Sequence, residues 1–201
     1  MNLKYGIFYN VQFDTLLVTL NSDDKNLKTE QINDVIILKS NDLIVGFNIL
    51  NVSKEIALKP GMISENIQAV NFVENKLKDI YPLKQNSQFV IAEILEMHPI
   101  EGTHLNACKI KNNEGVVDVV TGAKNAYPGM ITVMATNGTW LPNGNVITAG
   151  MMRGFPTVGM LCSAKELNLD GHKFNVDGVL DLGSTFQDQV GKSFWGVYET
   201  N

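Results

Sequence analysis

One arginine stands among sixteen basic side chains, and it lies in the run MMRGFPTVGMLCSAKEL, Met151–Leu167. The planar five-donor fork of Arg153 suits a phosphate or another planar anion, where a lysine offers only a point charge. The alternative is an ordinary surface charge. Later in the same run Ser163 follows Cys162 and precedes Lys165 by two. That grouping invites a nucleophilic reading, but no Gly-x-Ser-x-Gly elbow surrounds it, and His172 falls in the loop-like DGHKF. His98, His104 and Cys108 invite a metal reading. They lack the tight ligand pair a zinc site needs, and His104 and Cys108 fall along one expected strand. Ser-x-x-Lys at SDDK (22–25) sits in a loop without companion motifs. Lys124 and Asn125, in TGAKNAYPG, lie where a strand exits into a loop, with turn chemistry as the plain explanation. No glycine-rich phosphate loop and no paired carboxylates occur, so no catalytic residue, metal or cofactor is expected.

The elements that must position these residues fall into two textures. In the first, QFDTLLVTL reads as a strand, and DVIILKSNDLIVGFNIL as two strands around Ser40-Asn41-Asp42. A helix follows, capped by Ser64, with Ile67, Val70, Val73, Leu77 and Ile80 along one face, and Pro82 stops it. PLKQNSQ (82–88) is a polar connector suited to a boundary. From Gln88 short strands alternate with glycine-rich turns: FVIAEILEM, LNACKIK, VVDVVTGA, ITVMAT and VGMLCS. NGTWLPNGNVI reads as a tight turn region, and AKELNL as a short helix. Five strands with one small helix suggest a small closed barrel. The expected fold class is an α+β domain at 1–87 followed by an all-β barrel at 88–199.

Composition limits the partners. A 44% hydrophobic chain has ample core material, and its net charge of −5 argues against a broad basic coat for nucleic acid or membrane. Cys108 and Cys162 form no CxxC pair and read as buried small hydrophobes in a reducing compartment. MNLKYGIFYN is not a signal peptide, and no apolar run reaches the ~18 residues that would span a bilayer. A cytoplasmic location is expected, with no membrane partner.

FVIAEILEMHPIEGTHLNACKI, VVTGAKNAYPGM, WLPNGNVI and MMRGFPTVGMLCSAKELNL follow in that order. Together they resemble the tRNA-binding domain near the amino end of the bacterial phenylalanyl-tRNA synthetase beta chain. Similar domains end many methionyl-tRNA synthetases and occur in endothelial monocyte-activating polypeptide II. The length and arrangement also resemble the stand-alone bacterial YtpR family, which sets a small α+β domain ahead of this module. The resemblance implies an OB-fold barrel that binds tRNA non-covalently, by shape and backbone, without catalysis. By motif it carries over Lys124 and Asn125 from a Gly-Ala-x-Asn turn, Ser163 and Lys165 from Met-Leu-Cys-Ser-x-Lys-Glu-Leu, and Arg153 from the segment between. Lys109 joins them as a tRNA contact, and Lys109, Lys124, Arg153 and Lys165 are expected on one exposed surface. The first domain is left for a homo-oligomer or protein partner. From Gln88 onward six lysines and Arg153 face eleven acidic residues, a balance of −4. Phosphate affinity comes from cations, so tRNA binding is expected to be modest. The rival reading is a degenerate OB barrel that acts as a protein–protein interaction module.

Overall fold

A computed structural model describes residues 2–21, 26–169 and 173–198. The chain divides into two compact units, one of residues 1–86 with 142–144 and one of residues 87–141 with 145–201. The SDDK segment and His172 lie outside the described residues.

The first unit is mostly strand. Its strands are β1 (Asn2–Leu3), β2 (Gly6–Asn10), β3 (Thr15–Thr19), β4 (Lys28–Ile32), β5 (Val35–Ser40), β6 (Leu43–Leu50), β7 (Gly61–Met62) and β8 (Lys84–Gln85). Six of them form an antiparallel sheet in the order β4-β5-β6-β3-β2-β7, while β1 and β8 pair in parallel. Alternation puts Leu16 and Val18 of β3, Val35 and Ile37 of β5, and Phe47 and Ile49 of β6 into one core with Tyr5 and Ile7. Ser40 pairs with Leu43 across the β5–β6 turn, where Asn41 and Asp42 both take positive φ (47° and 66°). This is a two-residue type I′ hairpin, whose twist matches that of the strands. Strand β4 gave no sequence signal because KTEQI is exposed at every position. Backbone pairing with β5 alone makes it a strand.

The α-helix α1 (Ile67–Leu77) departs from expectation at its start. Asn66 caps it, its side-chain oxygen accepting from the Ala69 N–H at 3.0 Å. Ser64 instead is buried and accepts from the Ile7 N–H at 3.0 Å. Ile67 is 59% exposed, and Ala69, Val70, Val73 and Leu77 make the buried stripe. The carbonyl of Leu77 accepts from the Ile80 and Tyr81 N–H groups, closing the helix before Pro82.

In the second unit β9 (Phe89–Pro99), β10 (Asn106–Asn112), β11 (Gly115–Thr121), β12 (Ile131–Thr136) and β15 (Gly159–Leu161) form one sheet in the order β11-β10-β9-β12-β15. A separate hairpin, β13 (Gly150–Met152) with β14 (Phe155–Thr157), lies between β12 and β15 in sequence. The register of β9 slips between Glu96 and Ile94 opposite Lys109 and Ile110, a bulge that bends the strand. The sheet curls, and its edges are bridged: the Val158 N–H, next to β15, donates to the Asp118 carbonyl of β11 at 3.0 Å. One face of the sheet encloses Val90, Ala92, Ile94, Cys108, Ile110, Val119 and Met134. The opposite face of β9 and β12 packs Ile91, Ile131, Val133 and Ala135 under Leu167, Leu180, Leu182 and Phe194. Burial on both faces explains why all six residues of β12 are buried. Each large apolar side chain so covered contributes about 1.5–3 kcal/mol.

The expected helix at AKELNL is a single turn over 164–168. Asn168 takes φ 53° and ends it. A five-residue helix α2 (Phe194–Tyr198) closes the described chain.

Candidate nucleic-acid interface

Strand direction gathers most of the candidate residues. Pro99 at the exit of β9 and Thr121 at the exit of β11 both stand opposite Asn106, where β10 enters. Strand β12 starts at Ile131, opposite Glu93, and runs away from that end, and β15 runs back toward it, leaving at Leu161 opposite Met134. Two connections therefore issue from that end, 100–105 and 122–130, while the turn after Leu161 starts farther down the sheet, opposite Met134 and Val133. The β13–β14 hairpin joins them. Val120 donates its N–H to Thr157 Oγ1 at 3.2 Å, and Val158 donates to Asp118. This antiparallel placement along β11 points the hairpin tip past Thr121, toward the loop that holds Lys124.

Arg153 and Gly154 are that tip. Met152 pairs with Phe155, and the two tip residues take φ 52° and 86°, so this is again a type I′ turn. Gly154 accepts such a conformation without cost, but an arginine does not. Of the eight non-glycine residues with positive φ among the described residues, seven are Asn or Asp and the eighth is Arg153. Asn and Asp tolerate this region because their short polar side chains bond locally. Arg153 has no such compensation. Its side chain is exposed and forms no ion pair among the described residues.

The loop after β11 divides its labour. Lys124 is exposed, whereas the half-buried Asn125 is a staple. Asn125 Nδ2 donates to the Val179 carbonyl at 2.8 Å, and its Oδ1 accepts from the Val179 N–H at 3.1 Å. Gly178 beside it has φ 78°, and a Cβ there would lie 2.1 Å from Asn125 Oδ1, so the staple requires glycine. Leu180 donates its N–H to the Cys162 carbonyl and Leu182 to Ile131. Residues 179–182 thus hold the Lys124 loop and the turn after β15 together. In that turn Ser163 and Glu166 form a capping box. Ser163 gives both its N–H (2.7 Å) and its hydroxyl (2.8 Å) to Glu166 Oε2, and its Oγ accepts from the Glu166 N–H at 3.3 Å. Lys165 projects from the same turn, exposed.

Lys109 lies apart from this end, midway along β10 on the outer face. Its ammonium donates to Asp118 Oδ1 at 2.7 Å, and that bond raises its pKa above the ordinary lysine value. It is a partnered cation. His104, weighed above only as a metal ligand, belongs to the gathered end. A Cβ on Gly122 would come within 3.3 Å of His104 Cδ2, so the ring lies against this glycine, two residues from Lys124. The sequence signal for it was its place in the connection after β9.

The remaining chemistry is directed elsewhere. Cys108 is buried, and burial pushes its thiol up to about 11. Burial raises the Cys162 thiol further, and its Sγ faces the Met160 carbonyl. His98 lies exposed, 3.6 Å from Glu96. No three potential metal ligands come together among the described residues. No helix among them is long and apolar enough to cross a membrane.

Residues 89–183 match the family profile described as "Putative tRNA binding domain". The chain is 34% identical to the Bacillus subtilis protein named "Putative tRNA-binding protein YtpR", over 90% of this chain and 98% of that one. It is 36% identical to the MG449 homolog of Mycoplasma pneumoniae, over 79% of this chain and 69% of that one. It is also 36% identical to the phenylalanine–tRNA ligase beta subunit of Ehrlichia canis, over 53% of this chain but only 14% of the larger subunit.

Proposed function

The chain belongs to the YtpR family, and from that premise we propose that it binds folded tRNA, without catalysing a reaction, through an OB-fold barrel spanning 88–199. The strand order third-second-first-fourth-fifth, with the Val158–Asp118 bridge between the third and fifth, supports the OB reading. Barrels of this kind bind oligonucleotides on their second and third strands and in the first-to-second and fourth-to-fifth loops. Those loops carry His104 and Arg153 here. The match to tRNA-binding proteins supports the choice of tRNA. Residues 1–87 form the other domain, a small α+β unit. Association with a second copy or a protein partner is assigned to it, favoured by the fully exposed end strand β4. The site of action is the cytoplasm.

In the RNA site Arg153, Lys124 and Lys165 take phosphates, with Lys109 at the margin as a partnered cation. Asn125 and Ser163 serve chiefly by fixing the loops that present these lysines. The observation that carries the reading is Arg153, held at positive φ on an exposed tip, where every other non-glycine residue at positive φ among the described residues is Asn or Asp. A strained residue with an unspent side chain is what a ligand contact looks like before its ligand arrives.

A titration with tRNA over a salt series tests this. With few phosphates neutralised, the slope of log affinity on log salt should be roughly 2–4 in magnitude, at about 0.7–0.9 per contact. Arg153→Ala should weaken binding by about 1–3 kcal/mol. Arg153→Lys should recover only part of the loss, keeping charge without the fork. Folded tRNA should bind ahead of an unstructured strand of equal length. Absence of tRNA binding at low salt would leave the protein-docking reading in its place.

A further inference from the structure

The hairpin that presents Arg153 is short, exposed and apolar. Met151 is 68% exposed, Met152 43% and Phe155 41%. Register places Met152 and Phe155 on one face of the ribbon and Met151 with Pro156 on the other. Large apolar side chains on a two-stranded ribbon gain nothing from solvent, and folding does not require them here. None of the three belongs to either core of the second unit. The hairpin is anchored at its base, where Thr157 Oγ1 accepts from Val120 and donates to the Gly159 carbonyl at 3.1 Å. Thr157 is half-buried, whereas residues 150–156 are exposed.

Charge and shape together select an occupant. A guanidinium at the tip of a ribbon that carries a phenyl ring and a thioether on one face matches one chemical unit well: a flat, weakly polar ring covalently attached to a phosphate. We propose that the β13–β14 hairpin holds an unpaired nucleobase of the bound RNA against Phe155 and Met152, while Arg153 takes a phosphate beside it. This rests on the tRNA reading and narrows it: the hairpin recognises a loop or end whose bases are unstacked, since a paired stem offers no free ring face. Every base has such a face, so the contact selects unpairedness without selecting sequence.

The test uses the full chain with three RNAs: unfractionated bacterial tRNA, a blunt fully paired duplex and an oligouridylate strand. Phe155→Ala should lower tRNA affinity about 5- to 150-fold, the range for loss of one base stack. Its salt slope should stay at the wild-type value, because no cation is removed, whereas Arg153→Ala should flatten it by about one contact. Phe155→Trp should restore binding and Phe155→Leu should not. Met152→Ser, at an equally exposed site, should show a smaller loss of the same kind. Weak binding of the duplex should be indifferent to the Phe155 and Met152 changes. Unchanged thermal melting would show that the exposed substitutions leave the fold intact. If wild type binds tRNA and both Phe155→Ala and Met152→Ser bind equally well, the stacking inference is overturned while the tRNA reading stands. If wild type binds none of the three RNAs, both fall together. Equal loss of duplex and tRNA binding in Phe155→Ala would also overturn the inference, since stacking cannot act on a paired stem.

Discussion

Two hairpins in this chain share a turn type and differ in what fills it. At β5–β6 the tip is Asn41-Asp42, and at β13–β14 it is Arg153-Gly154. Both tips need positive φ at both residues. The first uses residues suited to that backbone, and its strands continue into a six-stranded sheet with a buried face. The second puts an unsuited residue at its tip and carries exposed apolar side chains on strands of three residues. One turn serves the fold that contains it. The other accepts a less stable tip and so gains a displayed cation. The difference teaches where to look: a local rule broken at an exposed tip, with nothing in the chain gained from it, marks a contact.

Exchanging the tips would sharpen that contrast. Arg153→Asn gives the second hairpin the chemistry of the first. Binding of tRNA should fall by about 1–3 kcal/mol, as for loss of a charge-assisted bond. The melting temperature should stay level or rise, since an unfavourable tip has been relieved. A titration beside a thermal melt reads both, and a fall in stability together with binding would dissolve the distinction. The converse change, Asn41→Arg, should destabilise the protein by about 1 kcal/mol, the scale of an ordinary L-residue forced into the left-handed region. It should leave tRNA affinity alone. Loss of RNA binding in Asn41→Arg would show that the first hairpin is no mere turn.

A smaller effect comes from Asp14, another left-handed residue of the first unit, with φ 46°. Its side chain is fully engaged: it accepts from the Ser53 N–H at 2.8 Å, the Ser53 hydroxyl at 2.9 Å and the Tyr9 hydroxyl at 2.9 Å. The backbone bond from Ser53, foremost among these, holds the carboxyl below the ordinary aspartate range. A depressed carboxylate adds stability above its unfolded pKa, and that stability is lost as pH falls through the folded value. Asp14→Asn should therefore lower the melting temperature at neutral pH and narrow its gap to wild type in acid. An unchanged gap down to strongly acid pH would mean that Asp14 is not the titrating group. In neither case should RNA binding change, in contrast with Arg153.

Legibility in the sequence followed the same divide. Ser40-Asn41-Asp42 was readable as a hairpin because its residues state their backbone preference, and the dense apolar runs of β9, β10, β11 and β12 were readable as strands. The cap at Asn66 was missed because Ser64 is an equally good capping residue, and only packing commits its hydroxyl to Ile7. Strand β4 was missed because an exposed edge carries no alternation. At the candidate site, residue type alone pointed to Arg153 as the single guanidinium and to Lys124 and Lys165 as cations near turns. Ser163 and Glu166 stand at capping-box spacing, but residue type could not tell that Asn125 is tied to Val179, nor that Lys109 is held by Asp118.

By itself, then, the sequence determined the strands built on apolar runs, several of the turns and which motifs resemble a tRNA-binding module. Those properties depend on local backbone preference and on residue order, and both are written along the chain. Only the tertiary structure decided which site side chains remain available. Availability depends on partners distant in sequence, such as Val179 for Asn125, 54 residues away. It also decided the conformation of Arg153. The pairing of Met152 with Phe155 closes the tip, and the anchor at Thr157 aims it, so a residue that would not choose positive φ is held there by its neighbours.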